Sequence, residues 1–195
     1  MTNIIDKTKT DQLSAIISKT DKCKYLGSYI DSAATDIMNR RAQAFNAFWK
    51  MKHIWRDKYV SLKIKLKIFD ATCISIFLYG SETWTLNTEL ENKINSYATI
   101  CYRAILKISK FQRISNDAIY DRVERRPLIE KIRERQINFI KNTLNLNDND
   151  LIKTYLIYVP KTGIKKRGRS PKLFDKYVTI LLGDQAHLLN GLLVN

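Results

Sequence analysis

Apolar side chains recur at intervals of three and four residues through most of the chain, and this spacing constrains the fold more than any other feature of the sequence. Such spacing places the apolar groups on one face of a helix, where they pack together. The sequence therefore predicts a mainly α protein, a bundle of five to six helices. The predicted helices span residues 36–55, 62–79, 88–106, 116–123, 127–146 and 172–182, and a run at 151–159 fits either a helix or a strand. The short turn between the second and third helices predicts that these two lie side by side and share one core: Phe69, Cys73, Phe77, Ile94, Tyr97 and Cys101.

Residues at the expected helix starts support these boundaries. Ser61 and Asn116 are predicted N-caps, because their side-chain oxygens can accept from backbone N–H groups of the first turn. Thr88 and Glu91 form a capping-box pattern for the third helix. Pro127 suits the start of the next long helix, where its missing N–H would have no intrahelical partner.

One segment, residues 22–30, has the pattern of a β-strand, with Gly27 in its middle. Apolar groups on both of its faces predict a strand covered on both sides, yet the rest of the chain offers hardly any partner strand. We therefore expect one orphan β-strand near the N-terminus. Its Tyr25, Leu26 and Ile30 should leave apolar surface exposed at an unpaired edge.

Cysteine and histidine are too few and too scattered for a metal site. Cys23, Cys73 and Cys101 lie far apart with no C-x-x-C pair, which predicts reduced thiols packed in the core. His53 and His187 have no second ligand at metal spacing, so we expect neither a metal ion nor a cofactor. The longest uncharged apolar stretch, about nine residues, is too short to span a bilayer. We expect an intracellular protein, nuclear or cytoplasmic, with no membrane partner.

The sequence contains no recognisable catalytic centre. It lacks a P-loop, a G-x-G-x-x-G run and an H-E-x-x-H run, so no small-molecule substrate is expected. Carboxylate pairs that would hold two metal ions for phosphoryl transfer are also missing. Asp148 and Asp150 fit a turn better than a metal site, and Glu82 fits an ion pair or helix terminus better than a general base.

Positive charge is the strongest functional signal. Lys and Arg number 34 against 19 Asp and Glu, a formal net charge of +15. The surplus is concentrated in residues 36–67, 107–141 and 161–176. A surplus of this size attracts polyanions through steering and counterion release, so it favours nucleic acid as the partner. The alternative is a solvated helix face followed by a flexible basic tail.

Three segments, in order, carry a family resemblance: KYLGSYI at 24–30, FLYGSETWTL at 77–86 and KKRGRSPK at 165–172. Between them lie MNRRAQAFNAFWKMKHIW and ERRPLIEKIRERQINFI. Together they resemble the C-terminal end of the reverse transcriptase, an RNA-directed DNA polymerase, of non-LTR (LINE-like) retrotransposons of the endonuclease–reverse-transcriptase type. The resemblance implies three parts. These are the end of the palm at 1–31, a helical thumb and connection at 32–159, and a basic linker with a C-terminal helix at 160–195.

The departures from the family limit what the resemblance implies. The family's catalytic Tyr-x-Asp-Asp hairpin and its endonuclease do not occur in these 195 residues. We therefore expect a fragment that is not an enzyme on its own. It would keep the thumb's grip on a template–primer duplex of RNA or DNA, without base specificity. The alternative function is a helical protein-interaction module whose basic face only keeps it soluble.

The thumb-like role suggests which residues meet phosphates. Trp49 and Trp55 are two aromatics that would stack on unpaired bases, although helical spacing favours the interpretation that both are core residues. The candidate phosphate contacts are Arg40, Arg41, Lys50, Lys52 and Arg56 on the first helix, and Lys165, Lys166, Arg167, Arg169 and Lys172 in the basic hinge.

Overall fold

The computed structural model describes residues 24–29, 32–109, 111–147, 150–156 and 174–183, which are mainly helical, as predicted. The elements in chain order are β1 (Lys24–Tyr25), β2 (Ser28–Tyr29), α1 (Ala33–Lys50), α2 (Lys52–Arg56), α3 (Leu62–Phe69), a π-helical turn (Asp70–Ile74), α4 (Ser75–Phe77), a 3₁₀ turn (Ser81–Thr83), α5 (Thr88–Ile105), α6 (Asn116–Val123), α7 (Leu128–Leu144), α8 (Leu151–Leu156) and α9 (Phe174–Leu182). In these ranges no helix is both long enough and apolar enough to cross a membrane.

Side-chain caps fix the starts of the helices. The Ser61 hydroxyl accepts from the Ile64 N–H at the start of α3, which confirms its predicted role. The other two caps lie one residue earlier than predicted. Asn87, not Thr88, caps α5, and Ser115, not Asn116, caps α6. In each helix the predicted residue is already the first helical one, so the residue before it reaches the first-turn N–H.

The predicted helix 36–55 is two helices, because the chain bends at Met51. The bend turns α2 back so that the Trp55 ring stacks on Phe48, with ring centroids 5.0 Å apart. The Trp55 indole N–H donates to the Phe48 carbonyl at 2.7 Å. Burial of this large ring, with its polar atom satisfied, favours the bend over a straight continuation.

The predicted helix 62–79 runs without a break through α3, the π-helical turn and α4. Within this turn the Thr72 hydroxyl donates to the Ile68 carbonyl at 2.6 Å. Gly80, with φ +74°, ends the helical run as expected, since this backbone suits glycine. Lys65 of this helix is buried, and its ammonium donates to the Asp57 carbonyl.

The predicted core is confirmed. Tyr97 lies at its centre, its ring stacked on Phe77 at 4.7 Å and edge-on to Phe45 at 4.7 Å. Rings from α1, α3, α4 and α5 therefore close on one another, which fixes these helices side by side. The residues predicted to share this core are all fully buried in one cluster: Phe69, Cys73, Phe77, Ile94, Tyr97 and Cys101.

The predicted single strand at 22–30 is instead a short hairpin within residues 24–29. β1 and β2 pair antiparallel, with Lys24 opposite Tyr29. Leu26 and Gly27 form the turn, with φ of +46° and +87°. Positive φ at both central residues is the backbone of a type I′ hairpin turn, and Gly27 makes it accessible. Tyr25 and Leu26 are exposed, as predicted, whereas Ile30 lies outside the described residues.

The C-terminal part of the described chain packs on α7. The ambiguous run at 151–159 is helical where it is described, as α8. Val178 and Leu182 of α9 bury against Ile140, and the Tyr177 hydroxyl donates to the Gln136 side chain at 2.8 Å. The predicted hinge, residues 160–171, lies outside the described residues.

We predict that Phe69→Ala lowers the free energy of unfolding by about 3–5 kcal/mol, because Phe69 is fully buried among other rings. Denaturant unfolding followed by circular dichroism measures this. The matched control is Phe111→Ala, since Phe111 is exposed and should change stability by no more than about 0.5 kcal/mol. A loss below about 1 kcal/mol for Phe69→Ala would contradict the aromatic core.

Candidate nucleic-acid interface

Arg40, the first predicted phosphate contact, is buried, and its guanidinium is already bound to other residues of the chain. Its guanidinium donates to the Gly27 carbonyl at 2.6 Å and to the Ser28 hydroxyl at 3.2 Å. It also lies over the Tyr79 ring, 4.3 Å from the centroid. Its role in the folded chain is to hold the hairpin against α1, so it does not belong to the exposed basic face.

Asp36 completes this attachment. One oxygen of its buried carboxylate accepts from the Tyr29 N–H at 3.1 Å, and the other accepts from the Trp84 indole N–H at 3.0 Å. Arg40 lies 3.9 Å from the same carboxylate. The Tyr79 hydroxyl adds a further bond, donating to the Leu26 carbonyl at 2.9 Å.

These contacts join two of the segments that carry the family resemblance, 24–30 and 77–86, although about fifty residues separate them. At their junction a Cβ on Gly80 would lie 2.7 Å from the Ser28 hydroxyl oxygen. Gly80 is therefore required both by its positive φ and by this close approach. The two segments form one structural unit, the hairpin brace: Leu26, Gly27, Ser28, Tyr29, Asp36, Arg40, Tyr79, Gly80 and Trp84.

Arg41 is half-buried, with its guanidinium 5.4 Å from the Phe45 ring centroid. The three remaining candidates on the first predicted helix, Lys50, Lys52 and Arg56, are all exposed. They lie close together in the chain, at the end of α1 and on α2, around the corner that the bend at Met51 makes.

That corner extends further than the sequence reasoning indicated. We call residues 49–67 the basic corner; it holds seven basic residues and one acidic residue, Asp57. Lys65 is buried, as described above. The other six cations are exposed and form no ion pair within the described part of the chain: Lys50, Lys52, Arg56, Lys58, Lys63 and Lys67.

The sequence reasoning did not single out Lys58, Lys63 or Lys67. Lys63 and Lys67 are four residues apart on α3, which places them on one helix face. Their spacing was a usable signal, because the apolar stripe of the same helix, Leu66 and Phe69, lies on another face. What the sequence did not show is that α3 begins beside the end of α2.

Basic residues elsewhere are partly neutralised. In residues 107–141 three arginines form ion pairs: Arg125 with Asp70, Arg133 with Glu91 and Arg135 with Glu82, at 3.0, 2.9 and 2.6 Å. The ion-pair role predicted for Glu82 is thereby confirmed. The basic corner is thus the place in the described chain where exposed cations are least compensated.

Two aromatic rings are exposed in the basic corner. Trp49, on the last turn of α1, is 51% exposed, and Tyr59, between α2 and α3, is 86% exposed. Trp55 is buried, as predicted, but the prediction that Trp49 is also a core residue is wrong. The two tryptophans lie six residues apart, a spacing that places them about 120° apart around a helix of 3.6 residues per turn, whereas Phe48 and Trp55, seven residues apart, share the buried face.

The buried thiols offer no reactive group. Cys73 and Cys101 are free and buried, and burial raises the pKa of both above the ordinary thiol value. Both therefore stay protonated near neutral pH and behave as packing residues. Cys23 lies outside the described residues.

Within the described ranges no three His, Cys, Asp or Glu side chains gather as metal ligands would. The predicted contacts Lys165, Lys166, Arg167, Arg169 and Lys172 also lie outside the described residues.

Comparison with known proteins gives one informative similarity. The chain is 26% identical over 128 residues to an uncharacterized transposon-derived protein of Caenorhabditis elegans. The alignment covers 64% of this chain and 44% of that relative, so the chain spans less than half of the relative's length. The chain matches no protein-family model and no solved structure. The similarity indicates a transposon origin.

We predict that Asp36→Ala detaches the hairpin and lowers the free energy of unfolding by about 3–5 kcal/mol. The substitution leaves the buried Arg40 without its carboxylate and the Trp84 indole without an acceptor. Denaturant unfolding gives the stability, and trypsin cleavage after the exposed Lys24 reports detachment.

The matched control is Asp57→Ala. Asp57 is exposed and its carboxylate accepts only from the nearby Tyr59 N–H within the described residues, so a loss of about 1 kcal/mol or less is expected. Equal stability and equal cleavage rates for the two variants would contradict the bracing role of Asp36.

Proposed function

We propose that this chain is the thumb and connection part of a non-LTR retrotransposon reverse transcriptase, and that it binds RNA or DNA without reading base sequence. The observation that carries the proposal is the basic corner, six exposed and uncompensated cations on a folded helical scaffold. Supporting it are the similarity to a transposon-derived protein and the three ordered motifs of the resemblance. On this proposal residues 1–31, 32–159 and 160–195 correspond to palm end, thumb with connection, and basic hinge with terminal helix.

The physics of phosphate binding fits this corner. Lysine and arginine that neutralise phosphates release condensed counterions, which favours binding to any sequence. Lys52, Arg56 and Lys63 project from helices whose positions the buried aromatic rings already fix, so the cations are held together before a ligand arrives. Contacts of this kind set position and affinity, and they carry no base specificity.

We infer that the chain by itself incorporates no nucleotides. Phosphoryl transfer by this family requires carboxylates that hold two metal ions, and the Tyr-x-Asp-Asp hairpin does not occur in the sequence. Binding is then the contribution of this part, and a nuclear or cytoplasmic location follows from a nucleic-acid partner. The competing proposal, a protein-interaction module with a solubilising basic face, differs in one measurable respect, since it needs no polyanion.

We predict that replacing Lys50, Lys52, Arg56 and Lys63 with Gln weakens duplex binding and reduces its salt dependence. If all four contact phosphates, the log–log slope of affinity against salt should flatten by up to about 3 to 4 units, from about 0.9 per phosphate. Fluorescence anisotropy across a salt series gives the slope, and circular dichroism checks that the variant is folded.

The matched control removes the same charge elsewhere, from exposed residues that form no ion pair within the described chain. It replaces Lys107, Arg113, Arg122 and Arg126 with Gln. We expect its slope to stay near that of the unchanged protein. Equal flattening in both variants would show that net charge acts rather than the basic corner. Binding of neither duplex nor single strand at any salt concentration would favour the protein-interaction module.

We also predict that residues 161–172 bind polyanions and contribute nothing to folding. The segment carries six positive charges and no negative charge. Replacing Lys165, Lys166, Arg167 and Arg169 with Ala should flatten the salt slope by up to about 3 to 4 units and leave the melting temperature unchanged. An unchanged slope would show that this segment does not touch nucleic acid.

A further inference from the structure

The basic corner exposes two aromatic rings in addition to its cations. Trp49 is half-exposed and Tyr59 is almost fully exposed, while their neighbours Phe48 and Trp55 fill the core. Core packing does not require the two exposed rings, because the buried pair already closes this end of the domain. Large exposed rings beside exposed cations are the combination by which proteins hold unpaired nucleic acid.

Both rings are mounted on ordered backbone. Trp49 lies on α1, with its ring edge-to-face against Phe48 at 5.2 Å. Tyr59 lies in a braced loop, since its N–H donates to the Asp57 carboxylate at 2.7 Å and Lys65 donates to the Asp57 carbonyl. A ring on a fixed backbone loses less conformational freedom when a base stacks on it than a ring on a mobile one, so less of the stacking energy is offset.

Each exposed ring has a lysine as its neighbour in the sequence. Lys58 places its ammonium 5.1 Å from the Tyr59 ring centroid, and Lys50 follows Trp49 directly in the chain. A base stacked on either ring would bring its own phosphate towards one of these ammonium groups. A paired duplex cannot use the rings in this way, because the faces of its bases are already stacked on each other.

Resting on the proposed function, we propose that the basic corner holds a single-stranded nucleic acid, with unpaired bases stacked on Trp49 and Tyr59 and phosphates on the surrounding lysines. The preferred partner is therefore an unpaired strand, and a continuous duplex binds more weakly, through its phosphates alone. An acidic protein segment would satisfy the same cations, but it would make no use of ring faces, and the experiment separates the two.

The experiment measures binding of the full chain to an oligodeoxythymidine of about 12 nucleotides and to a hairpin duplex with the same number of phosphates. We expect the single strand to bind more tightly. Trp49→Ala and Tyr59→Ala should each weaken single-strand binding by about fivefold or more, the low end of the effect of losing one stacked base. The salt slope should not change, since the phosphate contacts are intact.

Two matched variants make the result specific to stacking. Tyr59→Phe keeps the ring and should keep the affinity. Ile64→Ala removes an apolar side chain from the same corner that is as exposed as Trp49, at 51%, but has no ring, and it should bind normally. If Ile64→Ala weakens binding as much as Trp49→Ala does, the corner is an apolar docking surface and the stacking proposal is overturned.

Intrinsic fluorescence gives a second readout. The chain has three tryptophans, and Trp55 and Trp84 are buried. Trp49 is therefore the accessible one, and adding oligodeoxythymidine should quench its emission and protect it from acrylamide. In Trp49→Phe both effects should disappear.

Failure of this inference differs from failure of the proposed function. If salt-dependent binding persists but the ring variants bind the single strand normally, the stacking proposal is overturned and phosphate binding stands. The same holds if the duplex binds more tightly than the single strand. If neither nucleic acid binds at any salt concentration, the proposed function itself is overturned, and stacking with it.

Discussion

One group of aromatic rings joins helices α1 to α5, and the positions of the other features depend on it. Tyr97 stacks on Phe77, Phe69 lies edge-on to Phe48, and Phe48 stacks on Trp55. Each such pair contributes about 0.5–1.5 kcal/mol beyond the area that it buries. Burial also raises the pKa of the Tyr97 hydroxyl, which stays neutral in the core. Because Trp55 belongs to this group, the bend at Met51 and the basic corner around it are fixed by the core.

A buried carboxylate, that of Asp36, joins parts of the chain that lie far apart in the sequence. Asp36 is almost fully buried, and desolvation of a carboxylate is costly unless hydrogen bonds and an opposite charge offset it. Here the Tyr29 N–H, the Trp84 indole and Arg40 supply that compensation from three parts of the chain. The hairpin consequently sits against α1 and the turn at Gly80, and its side chains Tyr25 and Leu26 face outwards.

The arrangement of charge separates two kinds of basic surface. In residues 107–141 arginines such as Arg125 and Arg133 have acidic partners on other helices. Exposed pairs of this kind contribute little to stability, but they lower the local positive potential. In the basic corner Asp57 is the only acidic residue against six exposed cations, so most of the positive potential there is not compensated. A polyanion would therefore be drawn to the corner before other faces.

Sequence alone determined the helical class, most helix spans and the shared core of Phe69, Tyr97 and Cys101, because apolar periodicity and caps are local properties of the chain. Only the tertiary structure decided that Arg40 and Lys65 are buried and that Trp49 is exposed. Whether a side chain on an amphipathic helix meets water or protein depends on where neighbouring helices and turns lie, and spacing along one helix does not contain that information. The hairpin shows the same limit. The alternating pattern of residues 22–30 fits an extended strand as well as a hairpin that turns at Leu26 and Gly27. The hairpin is selected by contacts from outside the segment, because Asp36 and Arg40 bind its backbone.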